Sequence, residues 1–183
     1  MIRFPKPYAD VVARLRVPSG FLIVAVFAWF SHPDAQSLGA GIPLSLLGLA
    51  LRAWAAGSLA KNQQLATSGP YAYTRNPLYI GTLLVAAGLA VAARSIGLAA
   101  LFAAVFVLVY LPVIQNEEEH LRNLFADYAD YAAHVPMLRM RLTPFPQRKL
   151  SPFQFSLYLK NQEYKALAGF AAGMLFLLWK FMM

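Results

Sequence analysis

No cysteine occurs among the 183 residues, so disulfides, thiolate metal sites and cysteine nucleophiles are all excluded. Charge is scarce too: Asp, Glu, Lys and Arg make up 13% of the chain, against about 25% in soluble domains. Acidic residues are the rarer sign, 8 against 16 Lys and Arg. There is no glycine-rich phosphate loop, and nothing in the pattern supports Ser/His/Asp catalysis. His32, His120 and His134 share no metal-ligand spacing with the glutamates on a common helix face, so no metal is expected. The net charge of +8 is scattered among apolar runs and forms no continuous basic stripe. Nucleic acid is therefore not expected as a partner, and the positive charge reads as membrane topology.

What the chain has in abundance is apolar residues. They make up 59%, against roughly 45–50% in soluble domains, and the mean hydropathy is +0.51. This is the composition of an integral membrane protein, with a length that suits one domain.

Five apolar spans are expected. The first covers about Val17 to Phe30, after a basic start in which Tyr8 to Arg16 suits a short interfacial helix. That start, followed by FLIVAVFAWF, mimics a signal peptide, but no small-residue cleavage site follows and more spans come later. The second span covers about Leu38 to Ala60, with Arg52 inside it, and the third Pro77 to Ala93. Arg94-Ser95 turns tightly into the fourth, about Ile96 to Ile114, so these two pack as an antiparallel hairpin. Leu121, Leu124, Phe125, Tyr128, Tyr131 and Val135 then recur at three- and four-residue steps, which predicts an amphipathic helix from Glu117 to the stop at Pro136. Met137 to Lys149 is basic and broken by proline, so it is expected as an irregular surface segment. SPFQFSLYLKNQEY suits the membrane interface, and a last span covers about Lys165 to Trp179. Abundant Ala and Gly suit close helix packing in lipid.

With the N-terminus in the cytoplasm, the inner side carries Arg3, Lys6, Arg14, Arg16, Lys61, Arg75 and all seven basic residues from Arg122 to Lys165. The outer side keeps only Arg94 and Lys180. This is a positive-inside pattern, and it puts both polar passages of the middle of the chain, Lys61–Gly81 and Asn116–His120, on the cytoplasmic face.

Those passages hold the candidate chemistry. Asn76-Pro77 reads as an N-cap followed by proline at the first helical position. A helix start with free amides beside Arg75 suits a carboxylate or phosphate. Tyr71, Tyr73 and Tyr79 are ordinary interfacial aromatics, or the walls of a pocket for a planar ring or a sulfonium cation. Glu117-Glu118-Glu119 places three adjacent acids at a cytoplasmic helix end, where they repel one another; they form a solvated face or hold a cationic group.

Read together, these blocks resemble the integral-membrane methyltransferases of the isoprenylcysteine carboxyl methyltransferase and phospholipid methyltransferase superfamily. Gly69-Pro70-Tyr71, three residues, then Arg75-Asn76-Pro77-Leu78-Tyr79-Ile80-Gly81 is similar to that family's GPY…R(H/N)PxYxG. Glu117-Glu118, then Leu121, Phe125, Tyr128, Tyr131 and Val135-Pro136, is similar to its EExxL…F(G)xxY…Y…VP. The resemblance covers about Leu65 to Pro136, within a core of about residues 38–136, and leaves 137–183 as a basic segment and an extra helix. Ala126 replaces the usual glycine, and Asn76 stands where many members have histidine, so a role for an imidazole there is lost.

The resemblance implies S-adenosylmethionine as cofactor and a lipophilic acceptor reached from the bilayer, most of all a carboxyl group as on an isoprenylcysteine, alternatively a phospholipid amine. It implies cofactor contacts from Leu65, Gly69, Tyr71, Asn76, Pro77, Tyr79, Gly81, Glu117 and Glu118, with Arg75 and Glu118 as the catalytic pair. A sterol-reductase-like membrane oxidoreductase using NADPH shares a similar C-terminal half, but generally has an Arg-rich, aspartate-containing stretch in place of Glu117-Glu118. A membrane scaffold or small transporter would bind neither cofactor. The oligomeric state is not legible.

Overall fold

The computed structural model describes residues 23–146 and 153–183, together with Pro5 and Tyr8. The expected interfacial helix Tyr8–Arg16 and the start of the first span lie outside the described residues, apart from Tyr8; residues 23–30 are helical. The described residues are helical or irregular, with no strand. The helices are α1 (Ala35–Gly57), α2 (Pro77–Ala92), α3 (Ile96–Val105, continuing through Phe106–Tyr110 and Leu111–Leu124), α4 (Tyr128–His134), α5 (Phe155–Lys160) and α6 (Tyr164–Met182).

Helix α1 begins three residues before the expected second span because Asp34 and Ser37 cap it reciprocally. The Ser37 amide donates to Asp34 Oδ1 at 2.7 Å, and the Asp34 amide to Ser37 Oγ at 2.9 Å. That backbone donor holds the Asp34 carboxyl below its ordinary range. Helices α1 and α2 then cross with their backbones almost touching. A Cβ on Gly41 would lie 2.4 Å from the Gly88 carbonyl oxygen, and one on Gly48 would lie 2.6 Å from that of Gly81. Glycines seven residues apart on both antiparallel helices make this contact, the small-residue solution to packing in lipid, where no hydrophobic force drives helices together. Arg94, in the left-handed region at φ 51°, closes the hairpin into α3, whose first turn Ser95 caps at Leu98 N.

Helix α3 is longer than expected. It runs unbroken from Ile96 to Leu124 over 29 residues, so the glutamates lie on the continuation of a span and not at the start of a separate helix. No breaker separates Ile114 from Glu117, and Gln, Glu and Leu are good helix formers. The π turn at Phe106–Tyr110 accommodates Pro112, which has no amide to give Leu108 O. Tyr8 Oη donates to that carbonyl at 2.8 Å. The expected continuous helix from Glu117 to Val135 is instead broken in two: Phe125 is extended, and a turn at 126–127 leads into α4. The turn keeps the three- and four-residue step of the apolar side chains, so periodicity does not register it. It folds Leu121 and Phe125 onto Tyr128, Tyr131 and Val135 as one cluster.

A second apolar cluster holds the opposite end of the bundle, with Phe27, Leu38, Ala92, Leu98 and the α6 side chains Phe170, Met174 and Leu177. The last helix therefore packs into the bundle, and Lys180 Nζ donates to the Ala28 carbonyl at 2.9 Å. Helices α1, α3 and α6 are long and apolar enough to cross a membrane; α2, with 16 residues, is shorter. Trp29, Leu47, Ile96 and Leu175 stay exposed, as befits surfaces solvated by lipid.

Candidate functional site

The segment between α1 and α2 is shaped by one left-handed glycine. Gly69, at φ +58°, packs against Ser58 and Trp54, leaving no room for a side chain. It starts the 3-10 turn Gly69–Ala72, which buries Tyr71. Burial pushes the Tyr71 phenol well above its usual range. Residues 72–75 then run beside 136–145. The Arg75 amide donates to Pro136 O at 2.9 Å, that of Arg141 to Tyr73 O at 3.0 Å, and that of Phe145 to Ala72 O at 2.9 Å. Buried Thr74 adds a hydroxyl bond to Met137 O at 3.1 Å.

Arg75 is the hub. Its Nε and Nη2 donate to the two carboxylate oxygens of Glu118 at 2.7 and 3.1 Å, and its Nη1 to the carbonyls of Ala132 and Val135 at 2.7 and 3.0 Å. The fork binds the carboxylate bidentately and ties the end of α4 to α3. Asn76, expected as an N-cap, makes no side-chain cap; its Nδ2 donates to Glu118 Oε1 at 3.3 Å and Met137 O at 3.2 Å. At the start of α2, the amides of Tyr79 and Ile80 both bond back to Asn76 O. The polar groups here mainly hold one another.

Beside this knot lies a cavity of about 650 Å³. Its mouth is formed by exposed Lys61, Asn62, Gln64, Glu117 and His120. Tyr79 Oη donates to Glu117 Oε2 at 3.0 Å, and the Tyr79 and Tyr110 rings meet edge to face at 6.0 Å. Deeper, the walls are Leu49, Val85, Leu89, Ala166, Gly169 and Phe170. Leu89 lies twelve residues beyond Pro77, the start of α2, a depth of about 18 Å at the helical rise.

Of the residues singled out from sequence, Leu65, Tyr71, Arg75, Asn76, Pro77, Tyr79 and Glu117 line this cavity. Glu118, Gly69 and Gly81 do not. Glu118 faces Arg75, Gly69 packs against Ser58 and Trp54, and Gly81 is pressed between Arg52 and Gly48 at the helix crossing.

Two features escaped the sequence reading. The first is Tyr128, 1% exposed, whose hydroxyl has no hydrogen-bond partner among the described residues although the side chain lines the cavity. Burial and the nearby Glu118 carboxylate push its phenol up. The second is an ion pair within the helical bundle. Arg52 Nε and Nη2 donate to the two oxygens of Glu163, and Nη1 to Thr82 Oγ1 and to the Leu78 carbonyl. An arginine inside an apolar span was the available signal; its partner, more than a hundred residues away, was not legible.

Residues 39–128 match the phospholipid methyltransferase family. That family is part of the integral-membrane methyltransferase superfamily. The matched segment carries most of α1, all of α2 and α3 and the whole cavity mouth, but not Asn161, Glu163 or α6. The chain is also similar to two curated proteins. It is 37% identical to the cobalt-zinc-cadmium resistance protein CzcN of Cupriavidus metallidurans over 108 residues, 56% of this chain and 50% of that protein. It is 32% identical to the nickel-cobalt-cadmium resistance protein NccN of Alcaligenes xylosoxydans xylosoxydans over 137 residues, 71% of this chain and 64% of that protein. The chain thus spans about half to two thirds of the length of these relatives. No solved structure matches it significantly. Among the described residues, no three His, Asp or Glu side chains are grouped so as to hold a metal ion.

Proposed function

We propose that this protein transfers a methyl group from S-adenosylmethionine to a lipophilic acceptor drawn from the bilayer. The observation that carries this reading is a single cavity joining a polar mouth, built by the methyltransferase segment, to an apolar floor inside the helical bundle. Its volume is within the roughly 300–1,000 Å³ range of ligand pockets. The donor set suits the cofactor, since the mouth offers a cation (Lys61), a carboxylate (Glu117), electron-rich rings (Tyr79, Tyr110) and the unpartnered Tyr128 hydroxyl. When bound, the cofactor supplies an electrophilic methyl on a sulfonium.

In this reading Glu117 receives an ammonium or ribose hydroxyls, Lys61 faces a carboxylate, and the Tyr79 and Tyr110 rings face the sulfonium. Arg75 and Glu118 act by positioning, holding Asn76 and α4 at the cavity wall. Methyl transfer is an in-line displacement, so holding donor and acceptor in register accounts for most of the rate. A carboxyl group, as on an isoprenylcysteine-like acceptor, attacks as the anion and needs no base. A phospholipid amine must be neutral to attack and afterwards releases a proton. We place the site on the cytoplasmic face of a five-span topology, on the distribution of Lys and Arg.

The test is calorimetric binding of S-adenosylmethionine and S-adenosylhomocysteine to detergent-purified protein, with Glu117→Gln as control. Micromolar binding that weakens in the variant is expected. A folded sample that binds neither compound refutes the reading, and NADPH binding in its place selects the reductase alternative.

A further inference from the structure

The cavity is also lined by a group of polar side chains, half-buried Arg52, Thr82 and Asn161 and buried Glu163. Arg52 lies five residues inside the end of α1, about 8 Å along the helix axis. Glu163 is 8% exposed. A charged pair at this depth carries a desolvation penalty that its own attraction need not offset, so it is weak evidence for a purely stabilising role.

The hydrogen bonds decide what this group offers a ligand. Arg52 uses Nε on Glu163, Nη2 on Glu163, and Nη1 on both Thr82 and Leu78 O, which engages four of the five N–H groups of a guanidinium. Thr82 gives its own hydroxyl proton to Leu78 O at 2.9 Å. Asn161 donates through Nδ2 to both Ala56 O and Leu59 O at 2.9 Å. Both of those partners are carbonyls, so the amide cannot be flipped, and Asn161 Oδ1 is left as an acceptor. Each Glu163 oxygen takes one N–H from Arg52 and keeps a further lone pair. Donors are consumed and acceptors remain.

We propose that Glu163 and Asn161 form a subsite for the head of an alkyl-chain ligand that donates hydrogen bonds, an amine or a hydroxyl and not a carboxylate, with the chain lying against Leu89, Val85 and Phe170. Arg52 is the positioning residue that fixes Glu163. A carboxylate head would meet the Glu163 oxygens as like charge and find one guanidinium N–H at most. The use of this subsite in methyl transfer rests on the proposed function; its existence as a binding site does not. It would choose among acceptors through residues outside the methyltransferase segment.

The test uses three photoreactive probes with the same diazirine-bearing twelve-carbon chain and an amine, a hydroxyl or a carboxylate head, applied to the full chain in detergent without cofactor. Labelling is read by peptide mass spectrometry at residues 85–89 and 161–170. The amine or the hydroxyl probe is expected to label these peptides about tenfold more than the carboxylate probe, the order of one hydrogen bond to a charged group. Glu163→Gln should cut that preference severalfold. Equal labelling by all three heads, or preference for the carboxylate, overturns the proposal from the wild-type protein alone, even if the variant does not fold. An undiminished preference in a folded Glu163→Gln protein also overturns it. S-adenosylhomocysteine affinity, measured in parallel, reports on the methyltransferase reading separately: head selectivity without cofactor binding would retain the subsite and remove the reaction.

Discussion

Replacing Arg75 by alanine should undock α4 while leaving the α1–α2 hairpin intact. The substitution deletes both arms of the fork on Glu118 and both bonds to the carbonyls of Ala132 and Val135. The partners are mostly buried, with side-chain exposures of 13% for Arg75 and 15% for Glu118. Removing one member of such a pair leaves an uncompensated charge, at a cost of about 3–5 kcal/mol. That is enough to raise the undocked population of α4 by roughly a hundredfold or more at 1.4 kcal/mol per decade. The α1–α2 contact is made by glycine backbones and does not involve the fork. The assay is hydrogen exchange of detergent-solubilised protein. Amides of residues 128–135, of Met137 and of position 75 should exchange at least ten times faster, an order-of-magnitude floor from the same penalty, with residues 35–57 unchanged. Under the proposed function, methyl transfer should fall because the cavity wall has moved. Arg75→Lys should lie between, since an ammonium cannot reproduce the bidentate fork. Unchanged exchange in α4 of Arg75→Ala would refute the clamp.

Two further pairs of variants test the geometry. Tyr128→Phe removes a buried hydroxyl that has no partner, so the melting temperature without ligand should hold or rise while S-adenosylhomocysteine binding weakens. Tyr131→Phe, which loses a 2.7 Å bond to Tyr71 O, should instead destabilise by about 1 kcal/mol. A lower melting temperature for Tyr128→Phe would show that its hydroxyl is already satisfied within the protein. Gly48→Val, whose Cβ would sit 2.6 Å from Gly81 O, should prevent recovery of folded protein, whereas Gly39→Ala, with nothing within 4 Å, should be silent by size-exclusion profile and melting temperature.

Much of this protein is determined by sequence alone. The scarcity of charge and the long apolar runs suffice to predict helices apolar enough to cross a membrane, three of which the described residues contain. The blocks around Arg75-Asn76-Pro77 and Glu117-Glu118 suffice to point to the methyltransferase family that residues 39–128 match. Those signals are local, because hydropathy, proline placement and motif spacing act over a few turns of chain. Periodicity does not register the break at Phe125–Asp127, since the segment after the turn keeps the same three- and four-residue step. Only the tertiary structure decided which polar groups face the cavity and which face each other. Arg75 and Glu118 lie 43 residues apart, and Arg52 and Glu163 lie 111 apart; each pair closes on itself because a buried charge is stable only beside its complement. Sequence can nominate a charged residue for a site, but whether its hydrogen-bonding capacity is left over for a ligand depends on which partner the fold brings to it.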